Sequence, residues 1–233
     1  AFYTSYDYKR EMDSHMMKNT EWGAVAYLSH SKYGSMSSIR INNHSNYVTG
    51  SSSIKEPTCK FSLDYNSYGT SEDILKPWNT SIGYLASTTG NISGIYDMSG
   101  GSWEYVMGVL LDQNGKPMSG YSSSNHSGFN GIFGCPGCGG TESSKELLTG
   151  ESFPDAKYYD SYRYFEEQQN FKRRILGDAT GEMGPFSSNV DSPMTVYKNS
   201  WYEDVSWFVT NMTPWFYRGY DYVSGKYSGI FAF

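Results

Sequence analysis

The chain has 233 residues, with 18 Lys and Arg against 24 Asp and Glu for a formal charge of −6, and no basic stripe, which argues against a nucleic-acid partner. No apolar run reaches bilayer length and no signal-peptide pattern is present, so membrane attachment would have to come from an anchor upstream. Aromatic residues make up 17%, with 22 Tyr and 6 Trp, beside 25 Gly and a hydrophobic total of only 38%. Such a chain builds a core of rings with polar edges and many turns, and its tyrosines also suit a recognition surface.

Residues 1–14 show no clear period and read as an entry segment. The chain starts at Ala1 without an initiator Met, so it is read as processed or as part of a longer parent. Thr20 to Tyr33 is predicted helical: Trp22, Val25, Ala26 and Ser29 fall at i, i+3, i+4 and i+7, and Gly34 stands where a helix C′ residue belongs. Residues 35–90 are rich in Ser, Asn, Gly and Tyr and read as loops on a scaffold or as an insertion.

Ile92 to Leu111 is the most structured stretch, with Ile95, Tyr96 and Met98 before a Gly100-Gly101 turn and Val106, Met107, Val109 and Leu110 after it. Trp103 and Glu104 alternate on a strand-like run, so indole and carboxylate face opposite sides, one toward the core and one toward the turn. Residues 112–150 form a Gly/Ser-rich loop insertion. From Pro154 the pattern is predicted helical, with Asp155 as cap and Tyr158, Tyr162 and Phe165 along one face. Trp201 to Phe233 alternates aromatic and turn residues and is predicted to form strands. With no repeat and no linker, one domain over 1–233 is expected.

Catalytic signatures are missing. His15, His30, His44 and His126 sit in unlike contexts, none in a zinc-protease or nucleophile-elbow motif. Cys135 and Cys138 form a CxxC in a Gly-rich loop, compatible with a local disulfide, with free thiols, with a bridge from Cys59, or with a zinc site that adds Cys59 and a histidine such as His126.

Three ordered segments carry a family resemblance. They are Asn19-Thr20-Glu21-Trp22-Gly23-Ala24-Val25-Ala26, then Asn91-Ile92-Ser93-Gly94-Ile95-Tyr96-Asp97-Met98-Ser99-Gly100-Gly101-Ser102-Trp103-Glu104-Tyr105, then Phe216-Tyr217-Arg218-Gly219 with Gly229-Ile230-Phe231. Together they resemble the formylglycine-generating enzyme (sulfatase-modifying factor) family. The resemblance implies an α+β, C-type-lectin-like fold with long Gly/Ser-rich loops. More loosely, the wording also resembles surface and prepilin-like proteins of gut Firmicutes, and variable proteins diversified by retroelements.

Enzymes of that family act through a cysteine pair, or copper held by it, a few residues after the arginine matched here by Arg218. Residues 218–229 contain no Cys, so the resemblance implies fold without that activity. It also implies a calcium site on the middle turn through Asp97 and Glu104, which can equally serve to accept loop N–H groups. Gly101 stands where the family has Asn, removing one side-chain oxygen.

The expected function is therefore a non-enzymatic, extracellular ligand-binding domain on a cell surface. Its ligand would be an unknown protein or glycan, with no certain cofactor. The alternative is a structural head of a pilin-like subunit that self-assembles in a filament. Tyr220, Asp221, Tyr222, Ser224, Lys226 and Tyr227 are the expected recognition patch, held by Trp215, Phe216 and Phe231 as inward anchors; the same tyrosines can also be read as turn packing.

Overall fold

The computed structural model describes residues 2–36, 39, 81, 83–100, 103–111, 154–164, 174–180, 204–209, 214–220 and 228–233. In chain order the elements are α1 (Phe2–Tyr8), α2 (Asn19–Ser29), β1 (Glu104–Leu111), β2 (Asp160–Arg163) and β3 (Trp215–Arg218), with 3-10 turns at Arg10–Met12, Gly83–Ala86 and Ala156–Tyr158. The strands form one sheet in the order β2-β1-β3. Among the described residues no helix is long and apolar enough to cross a membrane.

The chain divides into two compact units, each assembled from three separated segments. The first comprises Ala1–Glu21, Val106–Ile175 and Phe208–Phe216; the second comprises Trp22–Tyr105, Leu176–Trp207 and Tyr217–Phe233.

In the first unit β1 is the middle strand, and Val106 to Leu110 are buried on both faces. Its parallel pairing with β2 sets Gly108 against Asp160 and Leu110 against Tyr162. On one face Met107 and Val109 pack with Tyr158 and Trp215, and Tyr6, Met16, Leu111 and Tyr159 close over them. On the other, Gly108 leaves room for rings. A Cβ there would lie 3.0 Å from Phe216 and from Asn19, and 3.4 Å from Tyr162. Tyr162, Phe208 and Phe216 meet with centroids 4.7 to 5.6 Å apart. The buried Asn19 amide donates to the Tyr162 hydroxyl at 2.7 Å, and Asp160 accepts from the Thr20 N–H at 2.7 Å, so β2 holds the start of α2.

Two predicted helices are corrected. The first ends at Ser29, not Tyr33. The Ser29 and Ser31 hydroxyls donate to the carbonyls of Ala26 and Leu28 at 2.7 Å, and the N–H groups of His30 and Ser31 reach back only three residues. Serine hydroxyls of this kind compete with the helical ladder and let the last turn tighten and stop. Gly34 then folds against the helix end, where a Cβ would sit 2.2 Å from the Ser29 carbonyl oxygen.

The second runs only from Ala156 to Tyr158, although Asp155 caps it as expected by accepting from the Lys157 N–H at 3.0 Å. Residues 160–163 are the strand β2 instead. Tyrosines four apart suit either period, and pairing with a buried central strand decides for extension. Phe165, residues 112–150 and Cys59, Cys135 and Cys138 lie outside the described residues. Of the strands expected over 201–233, the described residues form only β3, and 204–209 is not a strand.

Gly108→Val tests the ring packing around β1. It should destabilise the protein by about 1–3 kcal/mol, the usual cost of overfilling a packed core, measured by urea unfolding. A change within about 0.5 kcal/mol would show that the rings do not crowd this position.

Candidate aromatic binding face

The second unit gathers residues from all three segments of the family resemblance. Trp22 is buried, and its indole N–H donates to the Ile230 carbonyl at 2.8 Å. The Gly100 N–H donates to the Gly219 carbonyl at 2.8 Å, which joins the middle turn to the turn after β3. A Cβ on Gly219 would lie 3.5 Å from the Met98 carbonyl oxygen and 3.6 Å from the Trp22 ring, so both neighbours are within ordinary contact of this position.

Beneath this junction is a polar floor inside an apolar shell. Arg218 is fully buried; it donates to the carbonyls of Asp178 and Ala232 and lies 5.4 Å from the Phe233 ring centroid. Asp204 is also buried and accepts from the Phe231 N–H at 3.0 Å. Gly229 lies so close that a Cβ would stand 2.1 Å from the Asp204 carboxylate. Burial pushes the Asp204 carboxyl up to about 8, against the opposing pull of the Phe231 and Gly229 backbone N–H groups. Paired bonds between Trp207 and Phe233, and between Phe233 and Val205, fasten the last residues to the 204–209 segment.

On this floor stands an aromatic shelf. Trp103, just before β1, and Tyr105, its second residue, are 40% and 50% exposed. The Trp103 ring stacks on Tyr217 at 4.6 Å and 12°, and Tyr105 meets Tyr217 edge-on at 6.0 Å. Tyr220 contacts Trp103 at 5.1 Å. Tyr217 is buried, and its hydroxyl is held well above the ordinary tyrosine range by desolvation, then by Tyr220 and Tyr105. Two exposed rings are thus locked on a buried pair, an arrangement that presents flat apolar area at small ordering cost.

The expected patch is corrected at its first residue. Tyr220 is only 6% exposed and belongs to a buried cluster with Val205, Tyr217 and Ala232. The cause is the backbone: Gly219 and Tyr220 have φ of 73° and 54°, and two successive left-handed residues turn the chain so that Tyr220 folds back on Trp103. Asp221, Tyr222, Ser224, Lys226 and Tyr227 lie outside the described residues. Trp215, Phe216 and Phe231 are all buried, as inward anchors should be.

Glu104 is half-buried beside the exposed Trp103, so the indole is not the core-facing member of the pair. Glu104 is pushed up to about 7, mainly by burial and secondarily by the Asp97 charge, which brings the two acids of the expected calcium site into one electrostatic neighbourhood. Asp97 has a left-handed φ of 64°. Among the described residues no group of three or more His, Cys, Asp or Glu is arranged to hold a metal. Two carboxylates alone fall short of the six to eight oxygens calcium takes, so the side chains described do not make a complete calcium cage. His15 and His30 are far apart in role: His30 is lowered by burial and packs on Phe231 at 4.9 Å, whereas His15 belongs to the first unit.

No family model matches the chain, and no curated protein or solved structure matches it either.

Two predictions follow from these acids. Because the folded-state value of Asp204 is raised, the folded protein holds a proton there that the unfolded chain releases above the ordinary carboxylate range. Stability should therefore fall as pH rises from about 4 to about 8, by at least about 1 kcal/mol between pH 5 and 8, and Asp204→Asn should flatten much of that slope in urea titrations. Chelation with EGTA should shift the melting temperature by less than about 10 °C, since a larger shift in a chain of this size implies roughly 3–5 kcal/mol of bound-metal stabilisation.

Proposed function

We propose that this chain is a non-catalytic ligand-binding domain of C-type-lectin-like, formylglycine-generating-enzyme type, displayed extracellularly on a bacterial surface. One observation carries the reading: Trp103 and Tyr105 are exposed while stacked on buried Tyr217, a preorganised aromatic face of the kind that concentrates binding energy. The fold assignment draws support from the meeting of Trp22, Gly100, Gly219 and Ile230, which come from the three segments that resemble the family. The non-catalytic assignment draws on the sequence after Arg218, which has no thiol to act as nucleophile or copper ligand.

Relative to the sequence expectation, the centre of the site moves from Tyr220 to Trp103 and Tyr105. Asp221, Tyr222, Ser224, Lys226 and Tyr227 remain candidate recognition residues on the sequence reading alone. The ligand is a protein or a glycan.

The test is an array of defined oligosaccharides and purified extracellular proteins probed with the wild type, Trp103→Ala and Tyr105→Ser. At least one probe should bind the wild type and lose tenfold or more affinity, about 1.4 kcal/mol, in each variant. Tyr105→Ser should leave stability within about 1 kcal/mol, as changes at half-exposed positions usually do. An array that stays silent, or that binds all three proteins equally, would overturn the assignment.

A further inference from the structure

The segment ahead of α2, in the first unit, carries a charged cluster that ligand binding at the aromatic face does not use. His15 stands between two acceptors. Its Nδ1 is 2.6 Å from the Asp13 carbonyl oxygen, and its Nε2 is 3.1 and 3.3 Å from the two Glu21 carboxylate oxygens. A neutral imidazole has a single N–H, so only the imidazolium can donate on both sides. Glu21 Oε2 also accepts from the Lys18 N–H at 2.8 Å, reaching three residues back to close the first turn of α2.

The other side of the cluster is anchored on the 3-10 turn before β2. Asp13, at a left-handed φ of 56°, accepts from the Tyr158 hydroxyl at 2.6 Å and from Lys157 Nζ at 3.0 Å. The Tyr158 ring lies 5.5 Å from the His15 ring. Among the described residues, the titratable and charged groups around His15 are Glu21 from α2, Asp13 from its own segment, and Tyr158 with Lys157 from the 3-10 turn.

We propose that His15 is a proton-operated latch fastening the segment from Lys9 to Lys18 onto the first turn of α2, tight while the imidazole is charged and slack once it is neutral. On losing its proton the ring keeps one of its two bonds and turns a lone pair toward the other acceptor, while Glu21 retains Lys18. The Ser14 hydroxyl bond to the Ser5 carbonyl at 2.5 Å and the edge contact of Tyr6 with Tyr158 at 5.5 Å do not depend on that proton, so the loosening is local. His15 is held above its ordinary value of 6.5, chiefly by the Asp13 carbonyl and also by Glu21, with partial burial opposing. A raised histidine contributes its full stabilisation below the ordinary value and loses it as pH climbs through the raised one. The latch therefore slackens as pH climbs past the ordinary histidine value.

The test uses the full chain. The His15 ring is titrated by NMR, and amide exchange over residues 12–18, corrected for its intrinsic pH dependence, is compared at pH 5.5 and 8.5. His15 should titrate above 6.5, and exchange should speed up about two- to fivefold at the higher pH, the range expected of a partly exposed ion pair. His15→Gln should abolish the difference, which separates the latch from titration of Glu104 and Asp204 in the second unit. Glu21→Gln should lower the His15 value and leave His30 unmoved. A His15 that titrates at or below 6.5 in the wild type, or exchange that rises equally in His15→Gln, would overturn the proposal.

Discussion

A guanidinium with no exposed surface constrains everything near it, because Arg cannot shed its proton and a buried charge without acceptors costs several kcal/mol. Arg218 meets that constraint with main-chain carbonyls of Asp178 and Ala232 and with the face of Phe233. Those acceptors come from segments more than ten residues away on either side in sequence, so satisfying one side chain fixes the positions of three pieces of chain. The C-terminal residues are then tied a second time, through Asp204 to Phe231 and through Val205 and Trp207 to Phe233. With the ends of β3 and of the chain held in this way, Gly219 and Tyr220 can make their left-handed turn, and Tyr217 becomes a fixed support for Trp103.

The first unit solves a different problem. Its central strand is buried on both faces, and the ring-rich composition leaves few small aliphatic side chains to fill the space. Gly108 answers on one face by giving its volume to Tyr162 and Phe216; Met107 and Val109 answer on the other by packing on Tyr158 and Trp215. Each buried tyrosine in this unit also has a polar end to satisfy, and Asn19 and Asp13 accept or donate there. This is why the segment before α2 is bound up with the 3-10 turn before β2, and why a histidine within it feels both.

The two units also differ in what their acids do. Asp13 and Glu21, partly or fully exposed, work as acceptors for neighbouring donors and keep the local chain in shape. Asp204 is taken out of water and Glu104 partly so; burial raises both, outweighing the backbone hydrogen bonds that Asp204 accepts, so protonation is favoured near neutral pH. For Glu104 the nearby Asp97 adds repulsion in the same direction.

By itself the sequence determined what periodicity and local chemistry can carry. The Trp22, Ala26 and Ser29 face of α2, the apolar run of β1, the capping role of Asp155 and the inward Trp215, Phe216 and Phe231 were all legible, because each depends on neighbours within a few residues or on a ring too large to leave in water. The absence of a thiol after Arg218 was equally plain. What only the tertiary structure decided was direction and partnership. Tyrosines at 158 and 162 fit a helix as well as a strand until β1 offered its edge, and Tyr220 looked outward until two left-handed residues turned it in. The exposed face of Trp103 and Tyr105 had only an i, i+2 aromatic spacing to announce it, and nothing in the chain near Asp204 foretold its burial. Those outcomes depend on which distant backbone groups arrive beside a side chain, and no local pattern encodes that.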